Sequence, residues 1–191
     1  MKRGLLVVIS GPSGSGKTTV AAKLLALPGF ARAVTATTRA PRAGETDGVD
    51  YLFFTREEFL ARVARGEFLE HATVHGNLYG TPRRSVEEAL ARGGVCLLAI
   101  DVQGAAALRG RLSPALFVFL KAPGGEELER RLRSRGTEDE ATVARRLETA
   151  REELRREAEF DVSVVNDDLD RTVAEVRERI GKRLASEESR T

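Results

Sequence analysis

The sequence predicts an α/β protein: a parallel sheet flanked by helices, with a smaller mixed α/β segment inserted into it. Three observations carry that prediction. A short apolar run, "LLVVIS", leads straight into a glycine-rich loop and then a helical pattern. Further short apolar runs follow late in the chain, separated by long charged stretches with helical spacing. Between about residues 35 and 92 this rhythm breaks into short strand-like pieces, several glycines and one small helix.

Taken in order, Leu5–Ser10 reads as a buried parallel strand, being short, β-branched and stopped by Gly11. Residues 17–27 carry a helical pattern that ends at Pro28-Gly29. The pieces "AVTATT", "YLFF" and "FLEHATV", with a helix over 55–65, suggest a small mixed sheet of their own. Residues 95–101 ("VCLLAID"), 115–122 ("ALFVFLKA") and 161–166 ("DVSVVN") read as three more strands. Helices are expected over about 125–135, 138–157 and 169–186.

A chain of 191 residues suits one such domain, and this length buries a core without disulfide staples. The single cysteine, Cys96, lies in an apolar run and reads as a small core residue in a reducing compartment. The N-terminal apolar run is too short for a signal peptide, and no run approaches membrane-spanning length, so a cytoplasmic location is expected. With 31 basic and 29 acidic residues the charge is nearly balanced, which argues against a general nucleic-acid binder. His71 and His75 are four apart, but no cysteine or third histidine completes a zinc site, and no such site is expected.

"GPSGSGKTT", residues 11–19, satisfies G-x-x-x-x-G-K-[ST] in the strand–loop–helix setting that motif requires. Gly11, Gly14 and Gly16 let main-chain N–H groups curl around a β-phosphate, and the helix N-terminus adds positive potential. Lys17 is placed to bridge the β- and γ-phosphates, and the Thr18 hydroxyl to ligate Mg²⁺. ATP or GTP binding follows, but the loop is silent on the acceptor. Asp101 follows an apolar strand, where doubly wound sheets place their sites, and is a candidate for Mg²⁺ or substrate contact or for capping a helix.

The inserted segment supplies the candidates for acceptor recognition. Arg39 and Arg42 flank Pro41 in a polar loop, and guanidinium forks suit an anionic acceptor. Tyr51 and Tyr79, the only two tyrosines, lie in the same segment, where their hydroxyls suit a phosphate and their rings suit core packing.

The chain resembles the guanylate kinases. The stretches that carry the resemblance are "GPSGSGKTT", "TTRAPRAGETDGVDYLF", "EFLEHATVHGNLYGT", "IDVQGA", "RLRSRGT", "ARRL" and "VVNDDLD", in family order from about Gly4 to Leu184. The resemblance implies a P-loop kinase fold with a core (about 1–34, 93–125 and 158–191), a GMP-binding insertion (35–92) and a helical lid (126–157). It implies transfer of the γ-phosphate of ATP to GMP, and to dGMP as well, within purine nucleotide metabolism, with Mg²⁺ as the metal.

By the same resemblance Gly11, Pro12, Ser13, Gly14, Ser15, Gly16, Lys17, Thr18 and Thr19 hold ATP. Arg131, Arg135 and Arg146 are lid contacts to the triphosphate, and Asn166 meets the adenine. Glu70 would accept from the guanine N1–H and N2–H₂ as a pair, an arrangement adenine does not offer. Asp101 stands near GMP, Thr35 and Thr81 match hydroxyl contacts to guanine, and Arg39, Arg42, Tyr51 and Tyr79 match the phosphate clamp. Lys17, Arg39, Arg135 and Arg146 are then the expected catalytic residues, with insertion and lid closing over the core.

Two positions depart from the family pattern. Ala99 stands where relatives often carry an acid, so any contact from that side chain is missing; Thr35 replaces a common Ser and keeps the hydroxyl. Two other readings compete: a small-molecule kinase with another acceptor, and a non-catalytic guanylate-kinase-like domain that binds phosphorylated proteins. The intact Lys17 and Thr18 oppose the second, and Glu70 with its neighbouring hydroxyls opposes the first.

Overall fold

A computed structural model describes residues 4–74, 76–92, 94–133 and 140–189. In chain order the elements are β1 (Leu5–Ser10), α1 (Lys17–Leu25), β2 (Phe30–Arg32), β3 (Ala36–Thr37), β4 (Leu52–Phe53), α2 (Arg56–Ala64), β5 (Phe68–Val74), β6 (Asn77–Pro82) and α3 (Arg83–Ala91). They continue with β7 (Val95–Ala99), α4 (Val102–Leu108), β8 (Ala115–Lys121), α5 (Gly125–Arg133), α6 (Glu140–Arg155), a 3-10 turn (Glu157–Glu159), β9 (Val162–Val165) and α7 (Leu169–Glu188). One sheet has the order β2-β7-β1-β8-β9, with β2–β7 and β8–β9 parallel; a second, mixed sheet has the order β4-β3-β6-β5.

The chain divides into two compact units, Met1–Leu6 with Gly29–Leu98 and Gln103–Ala115, and Val7–Pro28 with Ala99–Val102 and Leu116–Thr191. In the first unit the mixed sheet has two chemically distinct faces, because side chains alternate along a strand. Ala36, Leu78 and Phe68 pack with Phe59 of α2, and Leu52, Phe54 and Val63 close around them. The rings of Phe59 and Phe68 stack with centroids 4.5 Å apart. A capping box starts α2: Thr55 Oγ1 accepts from the Glu58 N–H at 3.1 Å, and Glu58 Oε2 accepts from the Thr55 N–H at 2.9 Å. Phe59 is fully buried. Phe59→Ala should cost about 3–5 kcal/mol of stability, read as a fall in the denaturant midpoint; a midpoint within error of the parent would mean this cluster does not support the sheet.

In the second unit Val7–Ser10 of β1 are all buried, and the central residues of β8 are buried as well. Val20 and Leu24 of α1, and Val176 and Ile180 of α7, add buried apolar side chains to this unit. Leu128 and Leu132 of α5 form a separate buried cluster with Ala150 of α6. Asp168 caps α7, its carboxylate accepting from the Arg171 N–H at 2.8 Å.

The sequence reading and the structure differ in four short elements. β2, β6, α3 and α4 were not expected, and each is weakly signalled locally. β2 has three residues and takes its register from β7 (Phe30↔Val95, Arg32↔Leu97). β6 contains Gly80 and Pro82, both poor strand formers, and is defined by its partner β5. α3 begins without a side-chain cap, and α4 carries Gly104 in its interior. The strand expected over 95–101 ends at Ala99, so Asp101 lies between β7 and α4, just before the helix. The helices expected over 125–135 and 138–157 are seen as Gly125–Arg133 and Glu140–Arg155. Burial raises the Cys96 thiol to about 12, which keeps it neutral and unreactive, as a core residue should be.

Candidate active site

The glycine-rich loop follows β1 because the chain must leave the buried strand and turn sharply into α1. Gly11 has φ +141, and a Cβ there would sit 2.0 Å from the Leu120 carbonyl oxygen of β8. Gly16, at φ +92, is the left-handed residue that begins α1. No acidic residue lies in the first turn of α1, so nothing there competes with an anion for its N–H groups. Ser15 N–H donates to Pro12 O at 3.1 Å, closing a tight turn within the loop. Lys17 curls back over this loop, its Nζ donating to Gly11 O at 2.5 Å and Pro12 O at 3.0 Å. Thr18 and Thr19 are exposed at the start of the helix.

Side chains from later in the same unit complete this loop. Asn166 is buried between β9 and α7, and its Nδ2 donates to the Ser15 carbonyl oxygen at 2.8 Å. Arg131 on α5 donates through a terminal nitrogen to Asn166 O at 2.9 Å and through Nε to Glu127 at 2.6 Å. Arg130 and Arg131 together pull the Glu127 carboxyl down to about 2. Arg146 lies half-buried on α6. Arg135 falls outside the described residues, as does His75.

Glu153 on α6 was missed by sequence reasoning. Its carboxylate accepts from the Ser13 N–H of the loop and lies within electrostatic reach of Lys17 and Asp101. Burial raises its carboxyl above the ordinary value, Lys17 opposes the rise and Asp101 adds to it. Nothing in "ETAREELRRE" marks this acid out among its neighbours, because only the fold brings it to the loop.

In the first unit, the face of the mixed sheet opposite the Phe59 cluster is polar. Glu70 and Thr81 are directly paired across β5 and β6, both buried, and Thr81 Oγ1 donates to Glu70 Oε1 at 2.5 Å. Tyr79 sits two residues before Thr81, on the same face. Thr37, opposite Tyr79, accepts from the Arg39 N–H at 3.1 Å and so helps to set the loop that follows β3. Thr35 is buried two residues earlier.

Around Arg39 the aromatic rings gather. The Tyr51 and Tyr79 rings meet edge to face at 6.2 Å, and the Arg39 guanidinium lies 5.5 Å from the Tyr51 ring centroid. The guanidinium is held by Glu45, one terminal nitrogen donating to both carboxylate oxygens at 2.8 and 2.9 Å, while the other donates to Ala40 O at 2.6 Å. Burial works to lower the Arg39 pKa, but its hydrogen bonds with Glu45 and Tyr79 outweigh it and raise the value. Glu45 responds in the matching direction: burial favours a higher value, and the Arg42 main-chain N–H with Arg39 pulls the carboxyl below the ordinary one. A carboxyl depressed in this way stabilises the fold above its unfolded pKa and loses that contribution as pH falls through the folded one. Burial also raises the Tyr51 hydroxyl, with Tyr79 adding to the rise. The Arg42 side chain is exposed, and its N–H donates to Glu45 at 2.7 Å.

Sequence reasoning did not single out Glu45, although its place six residues after Arg39 and three after Arg42 was a usable signal. His71 is exposed on β5, and among the described residues no group of three or more His, Cys, Asp or Glu could hold a metal ion. Nor, among them, is any helix long and apolar enough to cross a membrane.

The guanylate kinase family model matches residues 3–183. A guanylate kinase of Rubrobacter xylanophilus is 51% identical over 179 residues, covering 93% of this chain and 94% of its own. One from Bifidobacterium longum is 51% identical over 185 residues, covering 94% of each. Among solved structures, the crystal structure of guanylate kinase from Anaplasma phagocytophilum superposes with a TM-score of 0.79 at 35% identity, covering 95% of this chain and 87% of that one. A family match over nearly the whole length, with relatives half identical to it in sequence, leaves one conclusion: this chain belongs to the guanylate kinase family.

Proposed function

We propose that the chain transfers the γ-phosphate of ATP to GMP, and also to dGMP, giving ADP and GDP or dGDP. The observation that carries this reading is the polar face of the mixed sheet, where a buried carboxylate, Glu70, stands beside a buried hydroxyl, Thr81, on a sheet that also bears Tyr79. A carboxylate there suits the adjacent N1–H and N2–H₂ donors of guanine, and Thr35 and Thr81 add hydroxyl contacts to the base. Arg39, Arg42, Tyr51 and Tyr79 would bind the GMP phosphate, with Asp101 as a further contact to GMP. None of these roles engages the ribose, which is why dGMP is included.

Residues 11–19 would hold the ATP phosphates, with Arg131, Arg135 and Arg146 as positive partners from a lid over residues 126–157. Residues 35–92 would form the GMP-binding insertion, and Asn166 would serve the ATP side. The acceptor is already an oxyanion, so no side chain needs to remove a proton before attack. What the chain must do is hold two anionic groups together and neutralise the charge spread over the transferred group. Lys17, Arg39, Arg135 and Arg146 are the residues assigned to that work.

Mg²⁺ fits the donor set. Thr18 offers a hard oxygen at the start of α1, Asp101 offers a carboxylate, and Mg²⁺ typically takes one or two protein oxygens together with substrate phosphates and waters. Held by these two residues, the ion would supply positive charge to offset that of the phosphates. Ala99, exposed at the end of β7, adds no donor. A cytoplasmic location accords with the buried free thiol of Cys96.

The test is ADP formation from Mg·ATP with GMP, dGMP, AMP, CMP or UMP supplied separately. Turnover with GMP and dGMP alone is expected. Turnover with a different nucleotide would overturn the guanine reading of Glu70. ATP binding without turnover on any acceptor would instead favour a partner-binding module.

A further inference from the structure

Assigning Asn166 to the adenine asks its side-chain amide to face outward, yet that amide is engaged inside the protein. Asn166 is only 7% exposed. Its Nδ2 donates to the Ser15 carbonyl oxygen at 2.8 Å, and because a carbonyl can only accept, this contact sets which end of the amide faces the loop. Its Oδ1 lies 3.2 Å from the Thr172 hydroxyl, whose closest acceptor is the Asp168 carbonyl at 2.6 Å. The main chain of Asn166 is held as well: its N–H donates to Lys121 O at 2.7 Å, and its carbonyl accepts from Arg131 at 2.9 Å.

The amide also fits directly against the loop. A Cβ on Gly16 would lie 2.1 Å from Asn166 Nδ2, so the absent side chain at Gly16 is what lets the amide approach. Gly16 begins α1 in a left-handed conformation, and Ser15, fully buried, precedes it. Asn166 therefore bears on Ser15 and Gly16, the two residues at which the loop passes into α1. Thr172 and Asp168, at the start of α7, and Lys121, at the end of β8, tie this contact to regular structure rather than to another loop.

We infer that Asn166 is a positioning residue that braces the phosphate loop through Ser15, and that it serves the donor nucleotide through its phosphates and not through its base. Loop N–H groups bind an anion only when they converge, and an unbraced glycine-rich turn has many other conformations available. Losing a buried hydrogen bond that leaves the Ser15 carbonyl unsatisfied weakens any ligand that needs the turn formed. This inference rests on the reading of residues 11–19 as the donor-phosphate loop.

The experiment compares binding of ATP and of inorganic tripolyphosphate, each with Mg²⁺, to the wild-type chain and to Asn166→Ala, with the KM for GMP as the measure of an intact fold. The expected result is that both ligands weaken by the same factor, about tenfold or more, while the KM for GMP is unchanged. Weaker ATP binding with tripolyphosphate unaffected would overturn the inference in favour of base contact, and so would a variant that binds both as the wild type does. A wild-type chain that binds neither would show that the phosphate-loop reading itself fails, and the inference with it. A second measurement needs no variant: the Asn166 side-chain amide resonances of the wild-type chain should respond alike to ATP and to tripolyphosphate. A response to ATP alone would sink the brace.

Discussion

Lys17→Met is expected to lower kcat by about 10²–10³-fold, the scale seen when one preorganised donor to developing charge is removed. The substitution keeps the length and apolar stem of the side chain and removes its charge. The Lys17 ammonium is directed at the Gly11 and Pro12 carbonyl oxygens, so it lies over the loop that would hold the phosphates. Glu153 lies within electrostatic reach of the same charge. Steady-state ADP formation at saturating ATP and GMP measures the effect. A kcat within tenfold of the wild type would mean that Lys17 is not the group that neutralises the transferred phosphoryl.

Arg39→Ala is expected to reduce kcat/KM for GMP by about 10²–10³-fold and to leave the KM for ATP within about twofold. Arg39 is the residue on which Tyr51, Tyr79 and Glu45 converge, so its loss removes a fork and also the charge that the rings and the carboxylate surround. Arg39→Lys should recover only part of the loss, because an ammonium cannot make the paired contacts of a guanidinium. A near wild-type kcat/KM for GMP would overturn the clamp assignment. An equal loss in ATP binding would instead point to a general collapse of the fold.

These expectations draw on information that was unequally visible in the sequence. The phosphate loop was legible residue by residue, because its chemistry depends on local backbone freedom and on one lysine at a set spacing. β1, α1 and β8 were legible for a related reason: each is long or apolar enough for its period to stand out from its neighbours. By contrast β6, with Gly80 and Pro82, has no strand signature, and yet it carries Tyr79 and Thr81 of the polar face.

The candidate site divides along the same line. Arg39, Tyr51, Glu70 and Tyr79 were singled out by residue type and family order, and the structure places Glu70, Tyr79 and Thr81 on one face of a sheet with the Arg39 and Tyr51 side chains beside Tyr79. Arg42 was grouped with Arg39 on spacing and family order; its side chain is exposed, and its N–H donates to Glu45.

What the sequence determined by itself is the order of its strongly patterned elements and the type of chemistry: a phosphate-binding loop followed by a segment that carries Arg39, Arg42, both tyrosines and Glu70. Such features are short-range, being encoded in the backbone preferences and side chains of consecutive residues. Only the tertiary structure decided that Glu153 meets the Ser13 N–H, that Glu45 holds Arg39, and that Asn166 reaches Ser15 across 151 positions of chain. The physical reason is that a hydrogen bond between distant residues depends on where packing carries each backbone, and the packing of β9, α6 and α7 is set by apolar side chains elsewhere. The identity of a single Asn or Glu carries no record of the partner it will find.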